Sequence, residues 1–236
     1  MSVLVDNFMK FVSSYVDADA VETVYDIGAG SSEETVEMRE RFPNAQVYAF
    51  ECNPVCILNC TRNIINLDRI TLLPICVNNY TGLVTFHPIN QEKTLTTHED
   101  GNPRASSLFM ANGTYPHETY VQDSLKIPCM TIGDMIMLFD LPKPEIVWMD
   151  LQGAELAALQ GIGDLSSIKV IHTEVTNKEM YTGQAMYKEV KKYLEDNNFV
   201  CFLDDRSGDW IWDDADCVRA DLCKNTKRAH GDNNGN

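Results

Sequence analysis

Apolar positions Leu4, Phe8, Phe11, Val12 and Tyr15 recur at the spacing of one helical face. The first 16 residues are therefore expected to form a helix packed on the rest of the chain. The polar positions between them (Asp6, Asn7, Lys10, Ser13 and Ser14) lack the basic face of a membrane-surface helix. From residue 22 the pattern shortens. Residues 22–27 (ETVYDI) read as a buried strand, Gly28-Ala29-Gly30 as a tight turn, and Ser31 with Glu34 as a capping box opening a helix to Phe42. A strand over 46–50 follows, then a helix from Asn53-Pro54 to about Asn66, with Pro at its first position. Residues 70–77 (ITLLPICV) read as a third strand.

The alternation resumes with strands at 145–150, 168–174 and 198–204, helices at 153–161 and 184–197, and a last strand at 209–213. Strands separated by helices call for parallel pairing through crossovers. Asp205–Gly208 is too short for a crossover, so the final strand is expected to run antiparallel as a hairpin. Residues 83–131 are richer in Thr, Asn, Pro, His and Gly, and read as a strand pair plus a lid over one rim of the sheet. One domain over 1–223 is expected, with an N-terminal helix within 1–20 and a disordered tail over 224–236.

Composition narrows the partners. The 236 residues carry 19 Lys+Arg against 35 Asp+Glu, a formal charge of −16. No basic stripe is present; Lys224, Lys227 and Arg228 read as a solvated end, so no nucleic-acid partner is expected. No apolar run approaches a membrane span and no signal peptide is read at the N-terminus. The eight Cys are then expected to be reduced thiols of a cytoplasmic protein, and a Cys217–Cys223 pair is disfavoured. Cys52, Cys56 and Cys60 recur every four residues, which reads as a core face; their spacing is not that of a zinc site, and no metal is assigned. DMIMLF (134–139) reads as helical core, and Trp210 and Trp212 as one packed face of the last strand.

Chemistry concentrates at the predicted strand ends. In VYDIGAG, Asp26, Gly28, Ala29 and Gly30 line a turn where a ligand can approach backbone. The dinucleotide fingerprint is incomplete because Glu33 replaces its third Gly, which argues against an NAD-dependent oxidoreductase. Glu51 ends the second strand, where a carboxylate can accept two hydrogen bonds from a ribose diol. WMDLQGAEL (148–156) supplies Asp150, Gln152 and Glu155 to the same cleft, and IKVIHTE supplies Glu174 with His172. For His172 a satisfied core histidine is the alternative, and for Asp150 a helix cap.

Taken together, VYDIGAG, FECNP, RASSL, IVWMDLQGAELAALQG and HTEV resemble the FkbM family of S-adenosylmethionine-dependent methyltransferases. The resemblance implies a Rossmann-like class I methyltransferase, an α/β fold with a mostly parallel seven-stranded sheet in the order 3-2-1-4-5-7-6. It also implies methyl transfer to a hydroxyl of a sugar or other small acceptor. Carried over by position, Asp26, Gly28, Ala29 and Gly30 line the methionine portion, Glu51 takes the ribose, Cys52, Asn53 and Ser107 lie near the cofactor, and Ser106, Gln152 and Glu155 near the acceptor. Asp150 is the first candidate base, and also a cofactor contact, with His172 and Glu174 behind it. The family's Asp-x-Glu-Gly has Gln152 in place of Glu, and its Phe-Glu-Pro has Cys52 in place of Pro. Gln152 keeps a non-catalytic cofactor-binding domain in view. A Mg²⁺-dependent O-methyltransferase using Asp150, Glu174 and Asn177 is a further alternative. Oligomeric state is not legible.

Overall fold

A computed structural model describes residues 2–203 and 211–223. The first element is helix α1 (Val3–Ser13), followed by β1 (Thr23–Ile27), α2 (Glu33–Arg41), β2 (Gln46–Phe50), α3 (Pro54–Ile64) and β3 (Ile70–Leu73). Then come β4 (Cys76–Val77), β5 (Gly82–Phe86), β6 (Leu125–Met130), α4 (Ile132–Phe139), β7 (Ile146–Met149) and α5 (Glu155–Ile162). The chain continues through β8 (Val170–Thr176), α6 (Tyr187–Asp196), β9 (Phe199–Leu203) and β10 (Trp212–Arg219).

Seven strands form one sheet in the order β3-β2-β1-β7-β8-β10-β9. Numbered within that sheet alone, this is 3-2-1-4-5-7-6, as the resemblance implies. β1 pairs parallel with β2 and β7, β7 with β8, and β2 with β3, whereas β10 runs antiparallel to both β8 and β9. The two faces bury separate cores. Tyr25, Ile27, Val147, Met149 and Ile171 meet Ala158 and Leu159 of α5 and Leu194 of α6 on one face. Val24, Ile146, Trp148 and Val170 meet Val5, Phe8 and Val12 of α1 and Met38 of α2 on the other. Each such fully buried aliphatic side chain contributes about 1.5–3 kcal/mol of transfer free energy. That contribution orders α1, whose polar side is solvated.

Four expectations about these elements are corrected. First, residues 70–77 are not one strand. Pro74 has no N–H to give to a ladder, so β3 stops at Leu73 and Cys76–Val77 joins β6 in a second sheet, β4-β6-β5. Second, α2 has no capping box from Ser31. Its N-cap is Ser32, left-handed at φ 67° and without a side-chain cap, because the Gly turn delivers the chain in that conformation. Third, the last strand begins at Trp212 and runs to Arg219 rather than spanning 209–213; Trp210 and the link at 205–208 lie outside the described residues. Fourth, the register of β9 and β10 sets Cys201 opposite Cys217, with Cα atoms 4.0 Å apart, and the two form a disulfide where reduced thiols were expected. Cys223 is a free thiol.

Two side-chain readings divide. Cys56 and Cys60 are buried along α3, whose N-cap Asn53 accepts from Val55 N–H, and Cys52 is half-buried. In α4, Ile132 and Met135 are core, but Met137, Leu138 and Phe139 are exposed, so only the first turns of DMIMLF pack inward.

Candidate active site

Strand register builds the site on the sheet face that α1 and α2 cover. Asp26 on β1 lies beside Trp148 on β7, Trp148 beside His172 on β8, and His172 beside Asp216 on β10. Two residues nearer the carboxyl ends of the parallel strands, the same face carries Asp150 just past β7, then Glu174 and Asp214 in register. A cleft of about 340 Å³ opens over this end, within the range of small-ligand sites.

The turn after β1 forms one wall. Gly28 has φ +93°, and a Cβ there would stand 1.9 Å from the Asp150 carbonyl oxygen. The N–H groups of Gly28 and Ala29 both donate to the Phe50 carbonyl, at 2.9 and 3.0 Å. The turn is thereby clamped between β2 and β7, with the Arg104 side chain packed over Gly30. Glu51 closes the clamp. Its Oε2 accepts from Gly30 N–H at 2.9 Å, and its Oε1 accepts from Cys52 and Asn53 N–H at 2.7 Å each. A carboxylate offers about four acceptor positions, so one on Oε2 is free toward the cleft. That position could accept from a ribose hydroxyl. Burial still pushes Glu51 up to about 7 against those three N–H donors. Burial likewise raises Asp26 to about 7, opposed by the Thr35 hydroxyl that donates to it.

Gln152 is the centre of the other wall. It sits left-handed at φ +52°. Its Nε2 donates to Asp150 Oδ1 at 2.8 Å and to Glu174 Oε2 at 2.9 Å. Its Oε1 accepts from the Tyr181 hydroxyl at 3.1 Å, and its backbone carbonyl accepts from Ser107 Oγ at 2.7 Å. Burial raises Asp150, and burial followed by the neighbouring Asp150 charge holds Glu174 well above the ordinary carboxylate range. His172 stacks on Trp148, with ring centroids 3.7 Å apart, and shares a hydrogen bond of 2.8 Å with Asp216. Burial alone would lower its pKa, but the flanking Asp214 and Asp216 carboxylates raise it to about 9. His172 is therefore both a packed histidine and a cleft-lining one.

Other predicted residues are placed differently. Glu155 turns beneath the β7–α5 connection, accepting from Leu151 N–H at 2.9 Å and Gly153 N–H at 3.1 Å, so it is a turn carboxylate rather than an acceptor contact. Ser106 lines the cleft, but its Oγ donates to Pro103 O and accepts from Asn53 Nδ2 and Ile89 N–H. Asn53, Ser106 and Ser107 thus fasten the middle segment to the two walls. Tyr181, Asp214, Asp216 and Thr35 were missed. Asp214 and Asp216 follow the period-two face of a strand that the sequence reading ended too early. Tyr181 carries no local signal at all. Among the described residues, no three His, Cys, Asp or Glu side chains converge to hold a metal ion. Asn177 is engaged through its N–H with Ile211 O.

A 3-2-1-4-5-7-6 sheet with a Gly turn after β1 and acidic residues at the ends of β1, β2 and β7 defines a Rossmann-like class I methyltransferase. Residues 26–201 match the family described as Methyltransferase FkbM domain, and the chain belongs to that family. It is a methyltransferase whose cofactor is S-adenosylmethionine. The chain is 24% identical over 178 residues to 2-O-methyltransferase NoeI of Sinorhizobium fredii, covering 72% of this chain and 70% of that protein. It is 27% identical over 168 residues to hexuronic acid methyltransferase AglP of Haloferax volcanii, covering 66% of this chain and 61% of that protein. A solved structure of magnesium protoporphyrin IX methyltransferase from Synechocystis PCC 6803, with bound SAM, aligns with 92% of this chain and 78% of that one. It does so at 13% identity and TM-score 0.49. No helix among the described residues is long and apolar enough to cross a membrane.

Proposed function

We propose that the chain transfers the methyl group of S-adenosylmethionine to a carbohydrate hydroxyl, with Glu174 as general base. The observation that carries this reading is the Gln152 amide bridging Asp150 and Glu174 at the mouth of the cleft. Two relatives support the acceptor class, one named for 2-O-methylation and one for hexuronic acid. When bound, S-adenosylmethionine supplies an electrophilic methyl group. The chain must then hold an acceptor oxygen in line with it, about 3–3.5 Å away. The Gly28–Gly30 turn takes the methionine portion and Glu51 Oε2 a ribose hydroxyl. The hydroxyl proton would pass to Glu174 as the O–CH₃ bond forms and the S–CH₃ bond breaks, its electron pair staying on sulfur; burial and the Asp150 charge raise the pKa of Glu174, which strengthens it as a base. Gln152 keeps the Glu174 and Asp150 oxygens aimed while their charges repel. Glu174 replaces Asp150 as the first choice of base because Asp150 lies nearer the Gly turn.

The test is methyl-labelled S-adenosylmethionine incubated with a panel of oligosaccharides and uronic acids. Transfer of label into an alkali-stable ether is expected. Label released by mild alkali would mark a methyl ester and overturn hydroxyl transfer. Cofactor binding with no labelled acceptor would favour the non-catalytic reading.

A further inference from the structure

The carbohydrate reading leaves the charge of the acceptor open, and the acceptor end of the cleft bears on it. Tyr115, Tyr120 and Trp212 wall that end beside Glu118, Glu174 and Asp214. Their rings make a continuous run through Tyr181. Tyr115 lies 5.8 Å from Tyr120, Tyr120 6.2 Å from Tyr181, and Tyr181 6.3 Å from Trp212. Among the described residues lining the cleft, Arg104 is the one Lys or Arg. It stands at the opposite end, its Cδ 3.2 Å from where a Gly30 Cβ would be, and pairs with Glu33 at 3.5 Å. Two imidazoles also line the cleft, His98 and His172, and His172 is flanked by Asp214 and Asp216.

A sugar bearing a carboxylate would place another negative charge against Glu174 and Asp214 with no guanidinium or ammonium to meet it. Burying such an unpaired charge is strongly unfavourable. An ammonium reverses every sign. It gains charge-assisted hydrogen bonds from the carboxylates and attraction from the Tyr ring faces. Glu174 and Asp214 are directly paired across β8 and β10, and such cross-strand neighbours stand side by side on one face. One can face a hydroxyl while the other faces a nitrogen on the adjacent ring carbon.

We propose that the acceptor is an amino sugar, its ammonium held by Asp214 against the Tyr115–Tyr120 wall and its neighbouring hydroxyl presented to Glu174. This rests on the carbohydrate-methyltransferase reading above. The test uses the full chain saturated with S-adenosylhomocysteine and titrated calorimetrically with four matched sugars: a 2-amino-2-deoxyhexose, its N-acetyl form, the parent hexose and the hexuronic acid. The amine is expected to bind about tenfold tighter than the hexose and the uronic acid most weakly. Asp214→Asn is expected to shrink the amine's advantage below about threefold while hexose binding holds. Equal binding of amine and hexose, tighter binding of the uronic acid, or no binding of any of the four overturns the proposal. In those cases label transfer still decides the carbohydrate reading independently. Failure of S-adenosylhomocysteine itself to bind would overturn both.

Discussion

The two walls of the cleft are built in different ways. On the cofactor wall, the hydrogen bonds that fix Glu51 span one, two and 21 residues, and all three donors are backbone N–H groups. On the acceptor wall, the bonds that converge on Gln152 from Glu174, Tyr181 and Ser107 span 22, 29 and 45 residues, and side chains take part in each. The first wall is nearly an extension of strand and turn geometry. The second exists only when β8, the segment after it, and the segment between β5 and β6 are all in place. A backbone-built wall is rigid and tolerant of what surrounds it, whereas a side-chain network depends on every member. Cofactor recognition should therefore survive substitutions on the acceptor wall, while turnover should not.

The sharpest break in that comparison is Glu174→Gln. Loss of a general base is expected to lower kcat by about 10²–10⁴, while S-adenosylhomocysteine affinity, measured by calorimetry, changes less than about threefold. Equal loss of both would reassign Glu174 to cofactor binding. Next in size is Glu51→Gln, whose amide cannot accept at the –NH₂ end. One of the three backbone donors, or the ribose hydroxyl, then loses its partner, at about 1–3 kcal/mol. Affinity for S-adenosylhomocysteine is expected to fall about 10–100-fold, with saturated turnover far less affected. A smaller effect is expected from Gln152→Leu, which removes the donor between two carboxylates. Repulsion then raises Glu174 further, so the acid limb of the kcat/KM profile should move toward higher pH by about one unit. A shift toward lower pH would show that Gln152 was not stabilising the ionised pair.

The same contrast explains what could be read from the sequence. The succession of strands and helices was legible because short apolar runs, Gly and Pro punctuation and the Asn53-Pro54 cap are local signals, whereas the order of the strands in the sheet was implied by the family resemblance alone. Asp26, Gly28, Gly30 and Glu51 fall at strand ends for the same reason, and their place in one cleft follows from parallel pairing. Pro74 was visible, yet the apolar run across it hid the transfer of Cys76–Val77 to a second sheet. The alternation of Trp212, Asp214 and Asp216 was also visible, but charged residues on a half-buried face read as the end of a strand. Tyr181 could not have been found, because its hydroxyl meets Ala105 O and Gln152 Oε1 only through tertiary packing. Glu155 was misplaced for the opposite reason. A carboxylate in the first turn of a helix beside a site can turn outward or inward, and here two backbone N–H groups draw it in.

The mildest expected effect concerns stability and separates the walls by titration. Asp26, Glu51 and Glu155 all rise to about 7 in the folded chain, chiefly through burial, from ordinary values near 4. Between roughly pH 4.5 and 7 the folded state therefore holds protons that the unfolded state has released. Stability falls as pH rises through that window and levels off above it. His172 works in the same direction at higher pH. Its value of about 9, set by burial opposed and outweighed by Asp214 and Asp216, gives a contribution fully present below about 6.5 and lost as pH rises through 9. The midpoint of thermal unfolding is accordingly expected to drop steadily between about pH 5.5 and 8.5. Glu155→Gln is expected to flatten the lower part of that slope without changing S-adenosylhomocysteine affinity, since Glu155 lies beneath the turn. Glu51→Gln is expected to flatten it and weaken the ligand together. A slope unchanged by both substitutions would mean that these carboxylates ionise in the folded chain as they do in water, and that the acidic cleft is solvated rather than buried.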